Sequence, residues 1–92
     1  MLTIKYGVRF KKDYRLAIRR GCNEEKFKKV ISLLQEEKPL PPKYRDHFLE
    51  NSRNYKNLRE CHIAPDWLLI YQVEKELKIL RLVRTGSHSD LF

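Results

Sequence analysis

Three histidines, His47, His62 and His88, are the only imidazoles in this 92-residue chain, and each lies within four residues of Asp46, Asp66 or Asp90. An imidazole titrates near neutrality and is the commonest general acid or base. One histidine on a loop is ordinarily a surface residue. Three on or beside predicted turns, each with a carboxylate nearby, indicate that at least two share a site. Arg84 lies four residues before His88. Its planar guanidinium suits a phosphate, or equally a surface ion pair. Trp67 and Phe92 offer rings on which bases stack without sequence preference, although a tryptophan opening a strand is as readily a core residue.

Two chemistries are open to such a set. A metal site could draw on Cys61, His62, Asp66, His47 and His88. Their spacing matches no zinc pattern, and the adjacent Cys61 and His62 would point to opposite faces of a strand. No metal and no cofactor is therefore expected. The other chemistry is metal-free RNA cleavage, in which a 2′-hydroxyl attacks its own phosphate. That reaction needs a base, an acid for the leaving 5′-oxygen, and positive charge for the phosphorane. His, Asp and Arg supply the three roles.

The elements that must position these residues follow from the pattern. Trp67–Val73 is almost wholly apolar and reads as a central strand covered on both faces. The Ala64-Pro65-Asp66 turn joins it to a strand over residues 55–63. A tight turn near Glu74-Lys75 leads to a strand over Leu77–Arg84. Leu2, Ile4 and Tyr6 alternate as a short N-terminal strand. Phe10, Tyr14, Ala17 and Ile18 recur at helical spacing, and Gly21 ends that helix. Asn23 caps a second helix whose stripe is Phe27, Val30, Ile31 and Leu34; Pro39, Pro41 and Pro42 stop it. Residues 43–57 read as an irregular loop. Ser87 could cap a last helical turn. The expected fold is α+β: two N-terminal antiparallel helices on a mostly antiparallel sheet of about four strands, with a short C-terminal helical turn. Residues 1–92 form one domain, without repeats or linker.

Charge is distributed unevenly. Residues 1–45 hold 13 Lys/Arg against 5 Asp/Glu, whereas residues 46–92 hold seven of each. The basic half suits a polyanion by counterion release, and Lys11, Lys12, Arg15, Arg19 and Arg20 are its candidate RNA or ribosome contacts. A solvated helix face is the plainer account of any one charge run. Two cysteines without CxxC spacing fit free thiols in a reducing cytoplasm. The first 20 residues contain no apolar run and no apolar segment approaches the roughly 18 residues needed to span a bilayer, so neither a signal peptide nor a membrane span is expected.

Three ordered motifs, Tyr44-Arg45-Asp46-His47, then Arg59-Glu60-Cys61-His62-Ile63-Ala64-Pro65-Asp66-Trp67-Leu68-Leu69-Ile70-Tyr71, then Arg84-Thr85-Gly86-Ser87-His88-Ser89-Asp90-Leu91-Phe92, resemble the YafQ branch of the RelE/ParE toxin superfamily. The resemblance spans the whole chain. It implies a RelE-like α/β toxin of a type II toxin–antitoxin pair that cuts mRNA in the ribosomal A site without a metal. It implies His47, His62, Asp66, Arg84 and His88 as catalytic residues and Phe92 beside them with Trp67. On this resemblance His88 and Asp66 are expected as the principal proton-transfer pair, with His47 and His62 assisting. A DinJ/RelB-type antitoxin that binds operator DNA, the 70S ribosome and mRNA are the implied partners. Residues 48–55 depart from the family pattern, leucine-x-glycine-x-tryptophan. They run about two residues longer and lack the glycine, and Tyr55 takes the aromatic place. Two competing functions share the composition: a ParE-like gyrase poison, which has no need of Asp66, Arg84 and His88 together, and a non-catalytic RNA-binding module.

Overall fold

A computed structural model describes residues 1–49 and 58–92. The elements are β1 (Thr3–Tyr6), α1 (Val8–Arg19), α2 (Glu24–Gln35), a 3-10 turn (Pro42–Tyr44), β2 (His47–Phe48), β3 (Arg59–Ala64), β4 (Trp67–Glu74), β5 (Ile79–Gly86) and α3 (His88–Leu91). The strands form one sheet in the order β1-β5-β4-β3-β2. β1 runs parallel to β5, and every other neighbour is antiparallel. The α+β architecture is as the sequence indicates, with five strands in place of about four. The added strand is β2, which pairs His47 with Glu60 and Phe48 with Arg59 inside the segment read as loop. Two residues carry no periodicity, so no pattern could announce them. The expected start of β3 at residue 55 lies outside the described residues, as does Tyr55.

β4 is central, as its apolar run requires. Trp67, Leu69 and Tyr71 face the helices and join Phe10, Phe27, Val30, Ile31 and Leu34 in the main core. Leu68 and Ile70 face the other way and pack with Leu58 and Leu91. Period-two alternation sorts the strand into these two sets. Leu91 of α3 is thus the lid of the second, smaller core, and the C-terminal turn is docked by hydrophobic burial.

The helices end by related devices. Gly21, at φ 93°, follows α1; its N–H reaches the Ile18 carbonyl while the Cys22 N–H reaches Ala17, both at 3.0 Å. These are the two bonds of a Schellman motif. α2 ends on the same pair of bonds, Glu37 to Leu34 and Lys38 to Leu33, but Glu37 takes φ 59° without being glycine. Asn23 caps α2 by accepting the Glu25 N–H at 2.9 Å.

Two apolar positions depart from the stripes. Tyr6 is 51% exposed and Ile18 37%. Tyr6 ends β1 beyond the helix cover and rests on Phe10, with ring centroids 6.0 Å apart. Ile18 sits one position around from Ala17, the buried residue of that turn. Cys22 and Cys61 are both free thiols. Among the described residues no helix is long and apolar enough to cross a membrane.

Candidate active site

The strand alternation that buries Cys61 turns Glu60 and His62 to the opposite face, alongside Ile70 and Leu68. Glu60 is 4% exposed, an unusual burial for a carboxylate. Its Oε1 lies 3.6 Å from His47 Nε2 and 3.7 Å from His62 Nε2. One buried acid thus stands between two imidazoles. His47 Nδ1 lies 2.7 Å from the Arg45 carbonyl oxygen. A carbonyl only accepts, so Nδ1 carries a proton and Nε2 is the atom turned to Glu60.

His47 is held there by its neighbour. Asp46 accepts from Arg59 Nη2 at 3.1 Å and from the Tyr71 hydroxyl. Tyr71 belongs to the helix-side core, so Asp46 is tied to that side and the next residue falls on the other face, at Glu60. Burial, and then the bond to Asp46, pushes the Tyr71 pKa up; the group stays a phenol and a donor.

A second group forms where the β3–β4 turn meets the tail. Asp66 Oδ1 accepts the His88 backbone N–H at 3.1 Å. The contact is to the main chain of His88, and it docks the first residue of α3 against the turn. Ser87 and Asp90 make a capping box, the Ser87 N–H reaching Asp90 Oδ2 at 2.9 Å. Arg20 of α1 donates to the same carboxylate oxygen at 2.7 Å. These two donors hold the Asp90 carboxyl below its usual range. Gly86 permits the fold-back, because a Cβ there would stand 3.0 Å from Asp90. The His88 and Phe92 ring centroids lie 5.2 Å apart, and Phe92 is 58% exposed.

Arg84 sits at a break in the β4–β5 ladder. Ile70 pairs with Arg84 but Tyr71 with Leu82, leaving Val83 as the extra residue of a bulge. Bulges re-aim side chains. Here the Arg84 guanidinium meets Asp13 of α1, at 2.6 Å from Nε and 3.2 Å from Nη2. Asp13 also accepts the Thr85 N–H at 3.2 Å. A cavity of about 470 Å³ joins Asp13, Arg20, Asp66, Arg84 and Asp90.

The site residues expected from the sequence therefore fall into two neighbouring groups. His47 and His62 converge on Glu60; Asp66 holds the His88 main chain and lines one cavity with Arg84, and His88 is not among that cavity's lining residues. His62 pairs across the sheet with Leu68, and Leu68 with Gly86. The two groups lie on strands about 10 Å apart, two strand spacings. Trp67 requires correction as an open stacking surface. It is 3% exposed, stacks on Phe27 at 6.2 Å, and donates Nε1–H to Thr85 Oγ1 at 2.8 Å. Its area is spent on the core and its polar atom is satisfied within the protein, so it forms a wall of the cavity. Lys11, Lys12, Arg15, Arg19 and Arg20 are exposed, and Arg20 is engaged with Asp90. Among the described residues no three His, Cys, Asp or Glu side chains come together to hold an ion.

Two residues escaped the sequence reading. Glu60 is two positions from His62 in a strand, the spacing that puts both on one face. Asp13 is the sole acid in the first 23 residues, three positions from Phe10 and four from Ala17, which places it beside the buried stripe.

Comparison with known proteins identifies the family. A family described as "Bacterial toxin of type II toxin-antitoxin system, YafQ" matches residues 2–92. The chain is 42% identical over 90 residues to the mRNA interferase toxin YafQ of Escherichia coli BL21-DE3, covering 97% of this chain and 94% of that protein. A crystal structure of a metal-bound toxin from Helicobacter pylori superposes with a TM-score of 0.90, at 46% identity and full coverage of both chains. The E. coli DinJ–YafQ complex matches with a TM-score of 0.87 at 41% identity, over 100% of this chain and 99% of that one. With a match that is end to end in sequence and in fold, this chain belongs to the YafQ family of type II toxin–antitoxin toxins.

Proposed function

We propose that this toxin is a ribosome-dependent endoribonuclease that cuts mRNA in the A site by metal-free acid–base catalysis. The observation that carries the reading is Glu60 Oε1, within 3.7 Å of the Nε2 atoms of both His47 and His62. A carboxylate close to an imidazole favours its charged form. His62 turns Nε2 to Glu60 and keeps Nδ1 for proton transfer, whereas His47 has Nδ1 on the Arg45 carbonyl and Nε2 toward Glu60 and supports the charge of the site. The chemistry balances without a co-reactant. A base removes the 2′-hydroxyl proton, the oxygen attacks phosphorus, and the departing 5′-oxygen takes a proton from the acid. The products are a 2′,3′-cyclic phosphate and a 5′-hydroxyl.

His88 and Asp66 are the principal proton-transfer pair in this proposal, with His47 and His62 assisting. Asp13 orients Arg84, whose positive charge faces the phosphorane. Phe92 stacks on a base next to the scissile bond. The E. coli relative bears the name mRNA interferase toxin, and another is crystallised with DinJ. A DinJ-type antitoxin, whose other part binds operator DNA, is accordingly the partner proposed here, and the cytoplasm the compartment.

The test is a cleavage assay on ribosomes programmed with a defined mRNA. Chelating transition metals with 1,10-phenanthroline, with the ribosome's Mg²⁺ kept in place, should leave the wild-type rate unchanged. His88→Ala and Asp66→Ala should each lower it by about 10²-fold or more, with antitoxin binding retained. Full activity in both variants would overturn the assignment, and loss of wild-type activity in that chelator would overturn the metal-free route.

A further inference from the structure

The cations expected to bind RNA lie on α1, but the structure gathers others beside His62. A concavity of about 580 Å³ is lined by Lys26 and Lys29 of α2, by Lys43, Tyr44 and Arg45 around the 3-10 turn, and by the segment His62–Pro65. It contains four basic side chains and no acidic one. Several surface cations are matched, Lys28 with Glu24 and Glu25, Lys38 with Glu36, Arg81 with Glu74 and Arg20 with Asp90. Among the described residues, no carboxylate pairs with Lys26, Lys29, Lys43 or Arg45. Arg45 is also held at φ 49°, a left-handed backbone that costs a non-glycine residue energy. Repelling charges collected in one depression favour an anionic occupant.

We infer that this trough is a track for the phosphodiester backbone of single-stranded RNA, leading to or from the scissile bond. The inference rests on the proposed nuclease function and assigns it a substrate channel. Three observations select this occupant. His62 lines the trough, and Glu60 lies 3.7 Å from it and 3.6 Å from His47, so a strand lying there runs beside the catalytic imidazoles. Its one aromatic ring, Tyr44, is 6% exposed and lies under Lys43 Nζ at 5.1 Å. No face is offered to a base, and recognition falls on phosphates. Lysines on a helix face, with their three rotatable donors, suit a sequence-tolerant contact.

The probe is a short fluorescent RNA with 2′-O-methyl groups throughout, which the 2′-hydroxyl route cannot cut. Its affinity is measured by anisotropy over a salt series for wild type, for Lys26→Gln/Lys29→Gln, and for Lys75→Gln/Lys78→Gln at the opposite end of the strands. Single-stranded binding loses about 0.7 in log–log salt slope per phosphate contact removed. The trough variant should lose roughly 1.4 of slope and bind about 25-fold more weakly at 0.1 M salt. The far-end variant should follow wild type. Equal weakening in both variants would overturn the track in favour of bulk charge. An unchanged RNA curve would also overturn it, and loss of purified antitoxin binding in that case would reassign the trough to an acidic peptide. Cleavage of an unmodified RNA on ribosomes is scored separately. Cutting without trough-dependent binding sinks the track alone, whereas trough-dependent binding without cutting supports the track and sinks the nuclease.

Discussion

Glu60 carries the heaviest burden of any single residue. Burying a carboxylate is costly unless polar groups accompany it, and here two imidazole Nε2 atoms lie 3.6 and 3.7 Å from Glu60 Oε1. Removing that charge while preserving shape should disable both. Because His47 and His62 assist the His88–Asp66 pair, Glu60→Gln is expected to lower the cleavage rate less than His88→Ala does and to change the form of the pH–rate profile. A simple uniform reduction with the profile intact would place Glu60 outside proton transfer. The histidines were legible in the sequence because the residue type announces its chemistry. Glu60 was not, because an acid in a chain with 12 Asp and Glu looks like surface until its strand face is known. Trp67 shows the converse: its type fits both stacking and packing, and only burial decides between them.

At the scale of elements, the fold's boundaries were the more readable part. Gly21, Asn23 and the prolines mark helix ends by backbone physics that needs no tertiary context. The capping geometry sets two opposite expectations. Gly21 sits at φ 93°, and a Cβ added there would meet nothing within 4 Å, so Gly21→Ala should cost about 1 kcal/mol purely through backbone strain. Glu37 occupies the equivalent position of α2, and Glu37→Gly should stabilise by roughly the same amount. Thermal melts of the two variants should shift in opposite directions; shifts of the same sign would contradict the reading of both caps. β2 was illegible for a different reason. It exists through Asp46, whose partners Arg59 and Tyr71 lie 13 and 25 residues away. Tyr71→Phe removes one donor from Asp46 and should cost about 1–2 kcal/mol. It should also slow cleavage by releasing His47, while His88 and its tail stay in place. Unchanged cleavage with reduced stability would make Asp46 a purely structural anchor.

Across the whole molecule, the sheet brings together what the chain holds apart. His47, His62 and His88 arrive from an edge strand, an inner strand and a terminal helix, and the central β4 fixes the distance between them. The turn at Pro65-Asp66 and the tail at His88–Leu91 have separate chemistry in the sequence and one shared hydrogen bond in the fold. The uneven charge, dense in the first 45 residues, becomes two basic regions in space, the α1 face and the trough beside His62. A gyrase-directed protein on the same scaffold would not need buried Glu60 between two imidazoles, nor Arg84 clamped by Asp13. The central claim is therefore that this constellation cuts mRNA, and primer extension on mRNA from cells induced for wild type or His88→Ala tests it most directly. Defined new 5′ ends within coding sequence for wild type, absent for His88→Ala, are the predicted result. Growth arrest with a DNA-damage response and no new ends, or the same ends from His88→Ala, would contradict it.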